Sequence, residues 1–262
     1  MTAITACIIA MNEEDNLRAC LESVSFCDEI VVVDSHSTDR TREIAAEFTD
    51  RVIERDWPGH IEQKNFAIDQ ASHDWVLCVD ADERVTQELR EAILAEFAKP
   101  EIAYSGFTVN RLNHYLGRWI RHGGWYPDRK LRLFRRQHGR WGGVNPHDRV
   151  HVEGPVRDLN LDLLHYSYKD LGAHLRTIDS FTSILAREKL KRGQRFVTFQ
   201  VVFSGPMKFF TMYFLRRGFL DGWPGLICAA MGSYYSFLKY AKLWELTYVR
   251  NPEEERKKSS YS

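Results

Sequence analysis

Few cysteines, no C-x-x-C pair and no long apolar run mark this 262-residue chain, and each absence excludes something. Its five cysteines (Cys7, Cys20, Cys27, Cys78 and Cys228) are odd in number and sit mostly among apolar neighbours. That pattern excludes a disulfide scaffold and reads as buried thiols in a reducing compartment. No stretch reaches the ~18 uninterrupted apolar residues that a transmembrane helix needs. The nearest approach, Phe196 to Leu215, is broken by Gln200, Ser204, Pro206 and Lys208. The first residues, MTAITACIIAMN, lack a basic segment leading into an apolar one and read as a short strand, so no signal peptide is expected. There are no internal repeats. Net charge is also missing, with 36 basic residues against 36 acidic ones.

That balance conceals an uneven distribution. Between Arg187 and Arg250 there are 11 Lys or Arg against 3 Asp or Glu, so residues 1–186 carry the compensating negative charge. An acidic front and a basic back suggest two jobs, and the basic segment suits nucleic acid or an anionic membrane surface.

The first hundred residues alternate strand and helix patterns. Apolar runs at Ile4–Ala10, Ile30–Val33 and Trp75–Val79, with a weaker one at 51–54, read as strands. Helices are predicted after Asn12, after Ser37 or Thr38, over 61–71 and over 86–97, with Asn12, Ser37 and Thr38 as candidate caps. Such units predict an α/β fold with a mostly parallel, doubly wound sheet, whose ligands bind beyond the carboxyl ends of the strands. Residues 104–165 hold short strand-like pieces among Gly, His, Trp and Pro, and read as a loop-rich, substrate-facing segment. From Lys169 onward a helical region is predicted, with breaks at Gly205-Pro206 and at Gly222–Gly225, followed by a solvated tail over 251–262.

The stretch DWVLCVDADER runs five apolar or bulky residues straight into Asp80, Asp82 and Glu83. Residues two apart in an extended chain share a face, so Asp80 and Asp82 can project together. Paired carboxylates suit Mg²⁺ or Mn²⁺ bound with a diphosphate; the alternative is a solvated turn capping the next helix. A second strand also ends in an acid, at Val33-Asp34.

The segments AMNEEDNL, VVVDSHSTDRT, QKNFAID and VLCVDADE follow the order and approximate spacing of the family 2 glycosyltransferases, which have the GT-A fold. WYPDRKLRLFRR, GGVNPHDRVHVEG, LLHYSY, FLRRGFLDG and YSFLKYAKLWE extend the resemblance over nearly the whole chain. They are similar to the bacterial enzymes that add core sugars to lipopolysaccharide, including the β-1,4-glucosyltransferase type.

That resemblance implies a GT-A catalytic domain over 1–168 and a C-terminal helical region over 169–250. It also implies an inverting, metal-dependent transfer of a hexose, glucose from UDP-glucose, to a lipid-linked saccharide. A polyprenyl phosphate or other glycan acceptor, or a non-catalytic nucleotide-sugar-binding membrane scaffold, are the alternatives. Residue by residue, Glu13 matches the acid that helps hold the nucleotide, and Asp34 the acid near uracil and ribose. Lys64 and Asn65 match polar residues approaching the donor. Asp80 and Asp82 match the D-x-D pair, with Asp82 the direct ligand of Mg²⁺ or Mn²⁺. One departure is that many members carry D-D-G-S after the second strand, where this chain has Asp34-Ser35-His36-Ser37.

Inverting transfer needs a general base on a segment other than the D-x-D. Asp148 matches the family's acid and is the candidate, against an ion pair with Arg149 or Arg157; Glu153 is the second choice. His165 is a further candidate metal ligand or diphosphate contact, or else a core histidine bonded to a carbonyl. Arg132 and Arg135 read either as grips for phosphate or as the wet face of an edge strand. Trp125, Tyr126 and Trp141 read as sugar-stacking rings or as core.

Residues 196–248 contain 15 Phe, Tyr or Trp with Lys208, Arg216, Arg217, Lys239 and Lys242 interspersed. This composition suits helices lying in a bilayer surface; packing on the catalytic domain or in a homo-oligomer is the alternative. Nucleic acid is disfavoured as a partner because the cations are embedded among bulky apolar groups. The expected location is the cytoplasmic face of the inner membrane, by peripheral attachment, or the cytoplasm.

Overall fold

The structure, a computed structural model, describes residues 2–144, 147–194 and 198–249. The chain divides into two compact units. One comprises residues up to Asn113 together with Pro127–Ser167; the other comprises His114–Tyr126 and the chain from Tyr168 onward.

In the first unit, β1 (Ile4–Ala10), β2 (Glu29–Asp34), β3 (Val52–Glu54) and β4 (Trp75–Asp80) form a parallel array in the order β3-β2-β1-β4. Helices α1 (Leu17–Ser23), α2 (Thr41–Ala46) and α3 (His60–Asp69) connect them. The strands are apolar on both faces because both faces are covered. Ile4, Ala6, Ile8, Trp75, Leu77 and Val79 pack with Leu17, Leu21 and Ile44. Cys7, Val31, Val33, Val76 and Cys78 pack with Ala67 and Ile68 of α3. Alternate residues of one strand thus feed opposite layers.

Beyond β4 the sheet becomes mixed. It continues through β8 (Asp128–Arg135), β6 (Gly106–Tyr115), β11 (Val156–His165) and β5 (Glu83–Val85). β8 runs antiparallel to both β4 and β6, β11 runs parallel to β6, and β5 antiparallel to β11. The segment expected to be loop-rich therefore supplies four of the nine strands of the sheet; its Gly, His and Trp residues occupy strands and their turns. The short strand β7 (Arg118–Ile120) pairs with β6, and β9 (Gly139–Val144) and β10 (His147–Val152) form a separate antiparallel pair. α4 (Gln87–Phe97) is capped by Thr86, whose hydroxyl accepts from the Leu89 amide at 3.2 Å.

Two expected caps are corrected. Asn12 stands at φ 55° and ties two loops together instead of starting a helix: its amide donates to Ser37 Oγ at 2.9 Å, and its Oδ1 accepts from the Thr38 amide at 2.8 Å. α1 begins five residues later. Ser37 and Thr38 likewise precede α2, whose entry is organised by Asp39 accepting from the Thr41 amide at 2.9 Å.

The second unit contains α5 (Leu171–Lys191), α6 (Thr198–Phe210) and α7 (Gly222–Trp244). Asp170 caps α5 by accepting from the Ala173 amide at 2.6 Å. The helical break expected at Gly205-Pro206 is absent, for Pro206 lies inside α6. Gly205 is buried against Ser233 and Phe237 of α7, a close approach that a side chain would obstruct. The chain breaks instead after Arg216, where Arg217 takes a left-handed conformation and a single 3-10 turn leads into α7. Among the described residues, no helix is long and apolar enough to cross a membrane.

Candidate active site

The carboxyl ends of β1, β2 and β4 and the flanking residues of α3, β9, β10 and β11 bring most of the expected residues together within the first unit. Lys64, on the second turn of α3, is the hub. Its ammonium lies 2.9 Å from Asp80 Oδ1, 2.9 Å from Asp148 Oδ2 and 4.2 Å from the Trp141 ring centre. Burial works against its charge, but the carboxylates of Asp80 and Asp148 outweigh that cost, with Arg132 opposing, and hold its pKa above the ordinary lysine value.

Asp80 receives two cations. Its Oδ2 accepts from Arg132 Nη2 at 2.9 Å, and Arg132 also bonds Glu83. Arg132 and Glu83 are 3% and 0% exposed. Glu83 further accepts from the Asp80 amide at 3.0 Å, closing the turn between β4 and β5. Burial alone would raise the Asp80 pKa; Lys64 and Arg132 reverse this and keep it well below the usual carboxylate range. Arg132 is thus neither a free phosphate grip nor a wet edge residue. It braces Asp80 from beneath. Arg135, paired with Asp74 at 3.0 Å beside the start of β4, lies at the other end of that strand, away from the strand-end acids.

Asp82 faces a different partner. His165 Nε2 lies 3.2 Å from Asp82 Oδ2, while His165 Nδ1 lies 2.7 Å from Asn113 Oδ1. The register explains the convergence, since His165 is paired with Asn113 on β6 and with Glu83 on β5. Asn113 Oδ1 can only accept, so Nδ1 carries the hydrogen. In a neutral ring Nε2 then presents its lone pair to a carboxylate oxygen, an arrangement that calls for a proton or a metal cation between them. Two ligands each ~2.1 Å from an octahedral ion sit about 3 Å apart, so the pair fits Mg²⁺ or Mn²⁺. Among the described residues no group of three His, Cys, Asp or Glu side chains is placed to hold a metal, so the remaining positions would fall to water and phosphate.

Glu13 follows β1 and accepts from Asn16 Nδ2 at 2.9 Å. Burial pushes its pKa up to about 7; the Asn16 bond opposes this, and the negative charges of Asp82, Asp39 and Asp15 add to it. Asp34 is fully buried, with both oxygens turned onto the amide and hydroxyl of Ser37. It shapes the 35–38 loop rather than standing open to a ligand. Asn65 is similarly engaged. Its Nδ2 donates to the Trp141 carbonyl at 2.9 Å, and its Oδ1 accepts from the Trp141 amide at 3.0 Å, so it fastens β9 to α3.

The two ion pairs weighed for Asp148 are not the ones it makes. Arg157 pairs with Glu96, and Arg149 Nε contacts His151 at 3.3 Å. Glu153, five residues along from Asp148, lies roughly 16 Å away at the usual strand rise, too far to serve the same atom. Trp141 has its ring against Lys64 and Arg132 and is 6% exposed, which makes it a wall of the site rather than a platform. Trp125 and Tyr126 belong to the second unit.

Three contributors escaped the sequence reading: Glu83 as the buried partner of Arg132, Asn113 as the residue that sets the His165 tautomer, and Trp141 as the cover of Lys64. Glu83 was visible as the third acid of the DADE run. For the other two the signal is their strand register, which only the assembled sheet provides.

Residues 5–156 match Glycosyl transferase family 2. The chain belongs to that family. This family 2 glycosyltransferase is 32% identical over 254 residues to the lipopolysaccharide core biosynthesis glycosyltransferase LpsC of Rhizobium meliloti (strain 1021), covering 92% of each chain. It is also 30% identical to an uncharacterized glycosyltransferase, RT0209, of Rickettsia typhi, over 94% of this chain and 88% of that one. Among solved structures, the family 2 transferase is similar to S. aureus TarS 1–349 with a TM-score of 0.48 at 15% identity, over 98% of this chain and 92% of that one.

Proposed function

We propose that the protein transfers a hexose, glucose from UDP-glucose, onto a sugar of a lipopolysaccharide core with inversion at the anomeric carbon. The observation that carries the reading is the separation of the two D-x-D acids, Asp80 locked between Lys64 and Arg132, Asp82 turned to His165, whose Nε2 lies 3.2 Å from its Oδ2. The relationship to LpsC supports the core-sugar acceptor.

Asp82 and His165 would hold Mg²⁺ or Mn²⁺, and the bound ion would neutralise charge on the departing diphosphate. Lys64 and Arg132 keep Asp80 ionised, which fixes the β4–β5 turn and thereby the position of Asp82. Lys64 occupies Asp148 Oδ2 and leaves Oδ1 as the acceptor for the proton of the incoming hydroxyl. Glu13, titrating near neutrality, would contact the nucleoside, and the Asp34-held loop would shape its pocket.

Peripheral attachment to an anionic membrane surface completes the reading. α6 exposes Phe199, Val202, Phe203, Met207 and Phe210 at 45–61%, spaced along one side of the helix, and Trp223 at 77% opens α7. Apolar exposure of this extent beside Lys and Arg suits a bilayer interface.

The direct test incubates purified enzyme with labelled UDP-glucose, UDP-galactose or UDP-N-acetylglucosamine and core-truncated lipopolysaccharide. Glucose transfer that depends on Mn²⁺ or Mg²⁺ is expected. Transfer of a different sugar, or none to any lipopolysaccharide, overturns the donor or the acceptor assignment respectively.

A further inference from the structure

The second unit contains a cavity of about 160 Å³ that takes no part in the chemistry above. Its walls come from α5, α7 and the 114–126 segment, with Trp125, Ile178, Phe181, Cys228, Met231 and Tyr235 among them. His174 also lines it, but its Nδ1 is committed to the Tyr115 hydroxyl at 2.8 Å, and its ring is stacked on Tyr168 at 4.2 Å. Burial lowers the His174 pKa to about 4, so the ring is neutral at physiological pH. The pocket is open to solvent on one side, and its mostly apolar walls offer hydrocarbon a home and give a polyol few partners.

The edge of the cavity has the opposite character. At Gly232, which lines it, a side chain would meet Met212 Sδ at 2.5 Å and Lys208 Cε at 3.9 Å, so Lys208 crosses α7 at this point. Gly124, next to Trp125, is in contact with the Arg216 guanidinium. Lys208 and Arg216 are close enough to repel each other, and Arg216 adds to the burial that lowers the Lys208 pKa. Among the described residues no carboxylate pairs with either, whereas Lys242, on the same unit, is matched by Asp179 at 2.7 Å. Two unmatched cations beside an apolar cavity ask for a ligand with one anionic end and one hydrocarbon end.

We infer that the helical unit binds a lipid phosphate, with the phosphate between Lys208 and Arg216 and the adjoining hydrocarbon in the cavity lined by Phe181 and Met231. A membrane phospholipid and an isoprenoid phosphate share that chemistry. The site is built without any donor-site residue, so it stands or falls apart from the transfer reaction.

The test titrates hexyl phosphate into the full-length protein by calorimetry, beside inorganic phosphate and hexanol. Saturable binding of one hexyl phosphate per chain is expected, at least tenfold tighter than either fragment. Lys208→Gln combined with Arg216→Gln should reduce the affinity to that of hexanol. Thr177→Trp, which fills the cavity from α5, should reduce it to that of inorganic phosphate. UDP binding at the other unit, unchanged in both variants, verifies that they are folded. Displacement by a short-chain phosphatidic acid or by geranyl phosphate supports the site and tells which source it prefers. Failure of hexyl phosphate to saturate, equal affinity in wild type and both variants, or displacement by neither lipid overturns the inference.

Discussion

Asp148 and Glu13 are the residues whose behaviour separates catalysis from binding. Asp148→Asn keeps the shape and a hydrogen bond for Lys64 but cannot take a proton. Nucleotide affinity should persist while the transfer rate falls by 10²-fold or more, the usual worth of a general base; loss of UDP binding in calorimetry would instead make Asp148 a structural counterion. Glu13 gives a pH signature. Its folded pKa of about 7 stands above the model-peptide value, so the native state holds a proton that the unfolded chain releases between about pH 4.5 and 7. Its ionisation therefore opposes folding as pH rises through that window. If the carboxylate accepts from the nucleoside, metal-free UDP affinity should rise through pH 7, and Glu13→Gln should flatten the profile. An unchanged inflection in the variant would move the titration to another group.

At the scale of elements, the β9–β10 pair is held on α3 by Asn65 and Lys64 together. Asn65→Ala would strand the buried amide and carbonyl of Trp141, at a cost of about 1–3 kcal/mol for each group left unsatisfied. Hydrogen exchange should show β9 and β10 opening earlier than β1 or β4; unchanged protection would mean that Trp141 packing alone holds the pair. The same scale shows what could be read beforehand. β1, β2, β4 and α4 were legible because their signals are local: apolar runs of strand length, and a helical pattern over 86–97. Asp80 and Asp82 were legible because they close such a run. Their partners were not, since Arg132 lies about fifty residues and Lys64–Asp148 more than eighty residues apart in sequence. Within 104–165 the strand-like pieces SGFTVNRL, KLRLFRR and DRVHV fall on β6, β8 and β10. That β6 and β8 join the main sheet was not legible, because pairing between distant segments leaves no local signal; Pro206 misled because a helix packed against α7 tolerates the donor it loses.

For the whole molecule, an acid-labile helical unit follows from His174. Its folded pKa of about 4 lies below that of the unfolded chain, so the unfolded state binds the extra proton between pH 6.5 and 4. Stability should fall as pH drops through that window, by up to about 3 kcal/mol, and His174→Gln should remove most of the dependence, read by helical circular dichroism on heating. An equal acid loss in the variant would assign the effect to carboxylates elsewhere. The two units also divide the charge noted in the sequence. The acids proposed to meet donor and metal belong to the unit that contains the sheet, and the unmatched cations Lys208 and Arg216 belong to the helical unit, as one unit for a nucleotide sugar and another for a lipid would require.

The central claim is that Asp82 and His165, not Asp80, hold the metal that receives the diphosphate. Titrating Mn²⁺ into the protein with UDP, and following free Mn²⁺ by electron paramagnetic resonance, tests it without any acceptor. One Mn²⁺ per chain is expected with UDP, weakened at least tenfold by Asp82→Asn and by His165→Gln. Asp80→Asn, at a site already shared by Lys64 and Arg132, should weaken it less. Tight binding that survives the loss of Asp82 and His165 but fails without Asp80 would contradict the account.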